Sequence, residues 1–291
     1  MSERKNETKY VFLALLAVSM LASSGIFVRY SLLPPVNTGF WRCVFALPFL
    51  FFLARKDLHT LKKKDILIIF IAGIFFALDL LLYNLAMVRT SMANTNLLSN
   101  LTAFVIVPAS YFIFKEKIPK GFFLGAVIAV IGVIVLVLGK TTPSETNYIG
   151  DLMAFGASFF YGIYILISYR SRDRFSSSAI LFVVSIGMIF TLGVGACLIE
   201  GGIEVPNSMQ KLLPILGLTL TVQIGGHNLL SHCQGHLRVN LSSVIQLCQP
   251  AIAAIYSFFF FSEALSLMEI SGIVLVVCGV YLVKRKYSSE E

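Results

Sequence analysis

The 291-residue sequence predicts an all-α integral membrane protein of ten transmembrane helices, built as two inverted five-helix repeats. Three observations carry that expectation. Composition is the first: 57% of residues are hydrophobic and 13% charged, with a mean hydropathy of +0.84. A soluble domain has about 45–50% apolar and about 25% charged residues. Apolar runs long enough to cross a bilayer also recur from end to end, and the two halves match at a fixed offset. Composition thus excludes a soluble enzyme. It also excludes disorder, because 25 Phe and 11 Tyr do not belong in a solvated coil. The net charge of +8 sits in short clusters between apolar runs rather than on one basic face, so nucleic acid is not an expected partner.

A crossing needs about 20 apolar residues. Ten segments qualify: 10–28, 36–54, 66–88, 92–114, 121–139, 149–169, 178–199, 212–236, 240–261 and 267–283. The connections are short and hold no soluble domain. The first segment follows Arg4, Lys5 and Lys9, as a signal peptide would. It is long for one, lacks a small-x-small cleavage site and precedes nine more spans, so it is expected to be retained. Lys and Arg set the orientation. With the N-terminus inside, inner segments hold 18 of them and outer segments four: Arg29, Arg89, Lys140 and Lys211. The expected location is the cell (inner) membrane, with both termini cytoplasmic. Cys43, Cys197, Cys233, Cys248 and Cys278 form no CxxC and lie in apolar stretches, which reads as small, buried, reduced thiols.

Residues 80–137 align without a gap on residues 147 positions later. Glu116 falls on Glu263, Gly125 on Gly272 and Gly132 on Gly279. Each half holds five spans, an odd number, so the second half sits upside down relative to the first. The expected units are a first repeat over 1–139, an external linker over 140–148 and a second repeat over 149–291. Inverted repeats recur in secondary transporters, where they make the inward- and outward-open states near mirror images. Gly125, Gly132, Gly272 and Gly279 suggest close helix contact within each half or at a dimer seam.

Other residues add to this pattern: Phe40-Trp41-Arg42 in span two, Gly150-Asp151 opening span six, and Pro250 thirteen residues before Glu263. With the ten spans and the repeated Glu, they make the chain resemble the drug/metabolite transporter superfamily, specifically its EamA-type family, over its whole length. It departs at Ala103, where the counterpart of Pro250 is missing and Pro108 stands nearby. The resemblance implies a solute carrier whose central cavity is lined mainly by spans one, three, four, six, eight and nine, with a lean toward export. It leaves the substrate open, since the family carries amino acids, nucleotide derivatives, sugars and drugs.

Polar side chains in hydrocarbon face protein or a water-filled path. In span eight Gln223, His227, Ser231, Gln234 and Arg238 recur at helical spacing, the signature of one polar stripe. Asn228, His232 and His236 form a second. In span nine Ser242, Gln246 and Gln249 match Thr95, Ser99 and Thr102 of span four, the expected symmetric lining of a central site. Amides and hydroxyls there suit a polar, partly uncharged or zwitterionic solute. Asn96 and Asn100 lie on a neighbouring ridge of span four, where interhelical bonding competes with a pathway role. Pro250 frees a nearby carbonyl, either opening the helix beside the site or making a packing kink. Spans one and six align at an offset of 137, with Ser24 falling on Tyr161 and Phe27 on Tyr164; Ser158, Tyr161 and Tyr164 recur in span six, Tyr161 and Tyr164 either presenting rings to the solute or packing between helices.

Asp79 is the only carboxylate deep in an apolar run. It reads as a proton-coupling site, a counter-ion for a cationic solute, or a partner of Arg42. Asn84 and Tyr83 lie close by. Arg42 has three readings of its own: snorkelling, ion pairing and anion binding.

The expectation is therefore a secondary active transporter, not an enzyme. It moves a small polar, amino acid-like metabolite by alternating access, as an exporter or exchanger, with H+ as a candidate coupling ion. No GxxxxGK[ST] loop is present. No cofactor is expected, and the protein is a monomer or homodimer in the lipid bilayer. The competing reading is a metal-ion transporter or intramembrane metalloenzyme using His227, His232, Cys233 and His236 of span eight. A receptor or structural membrane subunit, binding without transport, is disfavoured by the inverted repeat.

Overall fold

A computed structural model describes residues 2–87, 89–90, 95, 98–115, 118, 121–139, 147–262 and 264–287. Glu116, Glu263, Asn96 and most of the expected linker, including Lys140, lie outside the described residues. The described chain is helical: α1 (Ser2–Ala22), α2 (Ser24–Tyr30), α3 (Pro35–Leu58), α4 (Lys63–Met87), α5 (Thr102–Phe114), α6 (Phe122–Leu138), α7 (Tyr148–Arg172), α8 (Ser177–Ile199) and α9 (Met209–Gly217). A π-helix (Leu218–His227) follows, then α10 (Asn228–Gln234), α11 (Val239–Gln246), α12 (Cys248–Phe261) and α13 (Leu267–Tyr287).

Among the described residues, eight segments are long and apolar enough to cross a membrane, including Thr8–Tyr30, Met209–Gln234 and Val239–Phe261. Two apolar helices, α5 and α6, are shorter. Together with the family reported below, this makes the chain a multi-pass membrane protein. Large side chains such as Phe52, Phe112, Phe190 and Phe259 are exposed on the outer helix faces, as contact with lipid requires.

Helix starts are satisfied locally or from a distance. Asn147, Ser176 and Ser208 cap α7, α8 and α9 by accepting from backbone N–H groups of the first turn. Ser266 and Glu269 bond reciprocally at the start of α13, a capping box. α3 begins at Pro35 and borrows its cap from α8: Glu200 accepts from the Val36 and Asn37 N–H groups at 2.8 and 2.9 Å. Asn37 returns two bonds, to Gly202 O and from the Glu204 N–H. The end of α8 is therefore tied to the start of α3. The Thr90 hydroxyl likewise donates to Asp151, joining the ends of α4 and α7 on the same face. Arg174 pairs with Asp65 on the opposite face.

Helix pairing follows a regular scheme. α3 packs on α8, and α4 packs on both α7 and α8. α1 packs on the π-helix, α10 and α12, while α5 packs on α7 and α11. α6 and α13 run against each other along their length. The four sequence-matched glycines meet in that last contact. A Cβ on Gly132 would lie 2.5 Å from Val276 N and 2.9 Å from Gly272 O; one on Gly279 would lie 2.4 Å from Ala129 N. The seam therefore joins the two halves of a single chain, which corrects the expectation of contact within each half or between two chains. Gly73 and Gly187 bring α4 and α8 equally close, an approach that periodicity did not reveal.

Two helix interruptions shape the interior. α11 and α12 are separated at Leu247, three residues before Pro250, whose missing N–H leaves the Gln246 carbonyl without its helical partner. In the first half the turn at Asn100–Leu101 precedes α5. It occupies the equivalent position although Ala103 stands where the proline would be. Of the cysteines, Cys43, Cys233 and Cys248 are buried and free, whereas Cys197 and Cys278 are free and exposed, so the expected burial does not extend to those two.

Candidate solute cavity

A cavity of about 240 Å³ lies among α1, α2, α3, α4, α5, α7, the π-helix, α11 and α12. Eight of the residues singled out from sequence line it: Arg42, Asp79, Ser99, Thr102, Tyr161, His227, Gln246 and Gln249. The matched pairs meet here. Ser99 and Gln246, Thr102 and Gln249, and Leu80 and His227 are each 147 positions apart, and Ser24 and Tyr161 are 137 apart; all eight border the same space.

Both helix interruptions flank this space, so side chains from the broken regions enter it rather than continuing a lipid-facing stripe. Tyr161 donates its hydroxyl to Gln246 Oε1 at 3.1 Å, linking α7 to α11 across the cavity wall. Phe76 forms an aromatic floor. It stacks on Tyr164 at 4.4 Å between ring centroids and meets His227 edge-on at 4.9 Å.

Arg42 carries the strongest electrostatic signal. It is 7% exposed, so snorkelling to the membrane surface does not describe it. Its Nε and Nη2 are buried with no hydrogen-bond partner. Leaving a buried donor unpaired costs about 1–3 kcal/mol, and more when it is charged. Asp79 lines the same cavity, yet among the described residues no ion pair joins it to Arg42. A guanidinium and a carboxyl group thus face one space without direct contact between them.

Four expected residues lie elsewhere. Gln223 is fully buried and donates Nε2 to Ser185 Oγ of α8 at 3.1 Å. Ser231 is buried one turn beyond His227. Tyr164 is buried behind Phe76, and Asn84 lies outside the cavity lining. The π-helix explains Gln223. Its i→i+5 bonding widens the turn, so residues four apart no longer stack as they do in an α-helix. Gly225 and Gly226 permit the wide turn to press on Met20 and Leu21 of α1.

Sequence reasoning left Ser24, Phe76, Tyr83, Asn100 and Ser243 out of the candidate site, though they line the cavity. The exact pairing of Ser24 with Tyr161 was the available signal for one of them. His232 and His236 lie near Tyr10 at the end of the bundle, with the His236 ring stacked on Tyr10 at 3.9 Å, away from His227 in the cavity. Among the described residues no group of three or more His, Cys, Asp or Glu is placed to hold a metal ion.

A cavity lined by polar groups inside an apolar helical bundle is the architecture of a membrane solute carrier. The chain belongs to the EamA-like transporter family, whose profile matches it twice, over residues 8–138 and 148–285. A probable amino-acid metabolite efflux pump of Salmonella typhimurium is 21% identical over 93% of each chain. A pseudopaline exporter of Pseudomonas aeruginosa is 21% identical over 87% of each. These relatives are named as a pump and an exporter, not as enzymes, and this chain is a transporter. One solved crystal structure superposes with a TM-score of 0.78 at 18% identity, covering 99% of both chains; at that identity the likeness shows the fold alone.

Proposed function

We propose that this transporter moves a small zwitterionic, amino acid-like solute across the inner membrane by alternating access, as an exporter or exchanger. The observation that carries this reading is the juxtaposition of Arg42 and Asp79 in one cavity, the former with buried unpartnered N–H groups. A carboxylate on Arg42 and an ammonium group near Asp79 would satisfy both poles of one molecule. Ser99, Thr102, Gln246 and Gln249 then supply neutral donors and acceptors. The Salmonella relative's name points to the same solute class.

The reading includes ten spans in two inverted five-helix repeats, with both termini cytoplasmic. In it α5 and α6 belong to the fourth and fifth spans. Helix pairing supports it. Exchanging the halves turns the α4–α7 contact into that of α1 with the π-helix and α10, and the α5–α7 contact into that of α1 with α12. The α3–α8 and α6–α13 contacts map onto themselves. Asp79 is assigned to proton coupling, the neutral carboxyl travelling with one state of the cycle and the carboxylate with the other. The reading takes the protein as a monomer or homodimer in the bilayer.

Comparative metabolomics tests the proposal. Wild type and Gln246→Ala are expressed at equal levels, and small molecules are profiled in cells and medium. A zwitterion redistributed by wild type alone is the expected result and gives the direction of transport. Redistribution of an uncharged or purely anionic compound instead would remove the two-pole reading.

A further inference from the structure

We propose that Lys9, Arg172, His232 and His236 form a binding site for a phosphate group at the membrane surface, the phosphate being that of an anionic lipid headgroup or of a free phosphate ion. The site stands apart from the solute cavity and shares no residue with it.

Sequence order scatters these residues and the fold gathers them. Lys9 and Tyr10 stand at the start of the apolar segment Thr8–Tyr30, Arg172 closes Tyr148–Arg172, and His232 and His236 bracket the end of Met209–Gln234. Three segments thus end together, on the face bearing the Arg174–Asp65 pair. The ends of apolar segments mark the level of the lipid headgroups. The His236 ring stacks on Tyr10 at 3.9 Å between centroids, and the two imidazoles are 5.0 Å apart. Lys9 Nζ lies 5.9 Å from the Tyr10 ring.

Arg172 is fixed in place. It donates Nε to Ser231 O at 3.1 Å and Nη1 to Phe175 O. A Cβ on Gly235 would lie 3.0 Å from Nη2, so this glycine leaves room for the guanidinium beside the end of α10. His236 Nδ1 is 3.1 Å from the His232 carbonyl and so donates to it. Arg172 Nη2, Lys9 Nζ, His236 Nε2 and the His232 ring nitrogens have no hydrogen-bond partner among the described residues.

All four groups are basic. Arg172, Lys9 and His236 each act on His232, and no carboxylate acts against them. Asp57, at the end of α3, is the acidic neighbour of Arg172. Among the described residues it forms no ion pair with that arginine. Like charges gathered in this way repel one another, and an anion set among them removes the repulsion. Phosphate suits the donors present. A fixed guanidinium aims an N–H at an oxyanion, lysine adds a point charge, and protonated imidazole adds further N–H groups. Basic pockets between helices at headgroup level recognise anionic lipids by this chemistry.

The test uses the full chain, freed of lipid, in an uncharged detergent. Dioleoyl phosphatidylglycerol and dioleoyl phosphatidylcholine are titrated in, with binding read by native mass spectrometry. Inorganic phosphate is read by its shift of the thermal midpoint against sodium chloride of equal ionic strength. In the lipid case phosphatidylglycerol is expected to bind about tenfold more tightly than phosphatidylcholine. Lys9→Gln is expected to weaken it about fivefold, and Arg172→Gln about tenfold. The double change His232→Gln with His236→Gln is also expected to weaken it. Lys63→Gln removes a charge from the same face outside the site and is expected to change nothing. If Arg172→Gln does not fold, Lys9→Gln decides, since its side chain is exposed. Phosphate stabilisation that the same variants lose, without preference between the lipids, supports the site with a soluble ion as its source. Equal weakening by Lys63→Gln and Lys9→Gln overturns the proposal, because the general charge of the face then holds the anion. A wild type that neither prefers phosphatidylglycerol nor responds to phosphate overturns it as well.

Discussion

Lys115 and Ser262 share one left-handed backbone conformation, with φ of 54° and 53°, at the ends of α5 and α12. They are 147 positions apart, the offset at which the halves align. Non-glycine residues rarely adopt this conformation, which costs about 1–3 kcal/mol. Its recurrence at matched positions supports a duplicated five-helix unit. Glycine removes the Cβ conflict. Lys115→Gly and Ser262→Gly are therefore each expected to stabilise the detergent-solubilised protein by about 1 kcal/mol, whereas Lys115→Val lowers stability. Thermal unfolding of the three variants checks this, and a fall in midpoint for both glycine variants would contradict it.

The α6–α13 seam is expected to tolerate no side chain. Gly132→Leu places its Cβ against the Val276 and Gly272 backbones, which cannot withdraw as a flexible side chain would. A loss of about 3 kcal/mol or more is expected, as for an overpacked core. Gly25→Ala is the control, because nothing lies within 4 Å of the added carbon. Equal thermal midpoints for Gly132→Leu and wild type would show that the halves separate freely at this seam.

Arg42→Gln is expected to raise the KM for a carboxylate-bearing solute about ten- to hundredfold, the equivalent of one charge-assisted hydrogen bond. Arg42→Lys keeps the charge but not the planar fork, and recovers only part of that loss. Initial-rate uptake into proteoliposomes, over a range of solute concentrations, separates KM from the maximal rate. An unchanged KM in Arg42→Gln would move the anionic pole elsewhere.

Asp79→Asn is expected to abolish the pH dependence of net transport while retaining exchange of solute for solute. The amide resembles a permanently protonated carboxyl and cannot release a proton on either side. Parallel net-flux and exchange assays across a pH series decide the matter. A wild-type pH profile in the variant would leave Asp79 as a charge partner for the solute only.

Polar residues of the π-helix and of α11 are expected to separate by function. His227→Ala and Gln246→Ala remove cavity side chains and should lower transport at least tenfold with little change in stability. Gln223→Ala loses the Ser185 bond instead. It should cost about 1 kcal/mol of stability and leave KM unchanged. Transport and unfolding measured on the same preparations would expose the opposite pattern.

Much of the candidate cavity was legible because the offset between the halves supplied an internal check. A polar Ser99 alone is ambiguous, but Ser99 matched by Gln246 and Thr102 matched by Gln249 mark a shared face, and all four line the cavity. Gln223 was misplaced because an α-helical spacing was applied across a π-helix. The wide turn is set by the packing of Gly225 and Gly226 on α1, a contact about 200 residues away in sequence. The turn at Asn100–Leu101 was similarly hidden, since no proline stands at Ala103 to announce it.

By itself, the sequence determined the all-helical membrane character and the apolar segments, and it supplied the expectations for direction of insertion and for the register of two halves. Those properties follow from hydropathy and charge, which act locally and survive any rearrangement of helices within the bilayer. Tertiary structure alone decided which polar groups meet. Arg42 faces Asp79's cavity, Gln223 turns to Ser185, and the glycine seam closes between halves of one chain. Each of these depends on helix rotation and on partners far away in sequence, and rotation about a helix axis is set by packing rather than by composition.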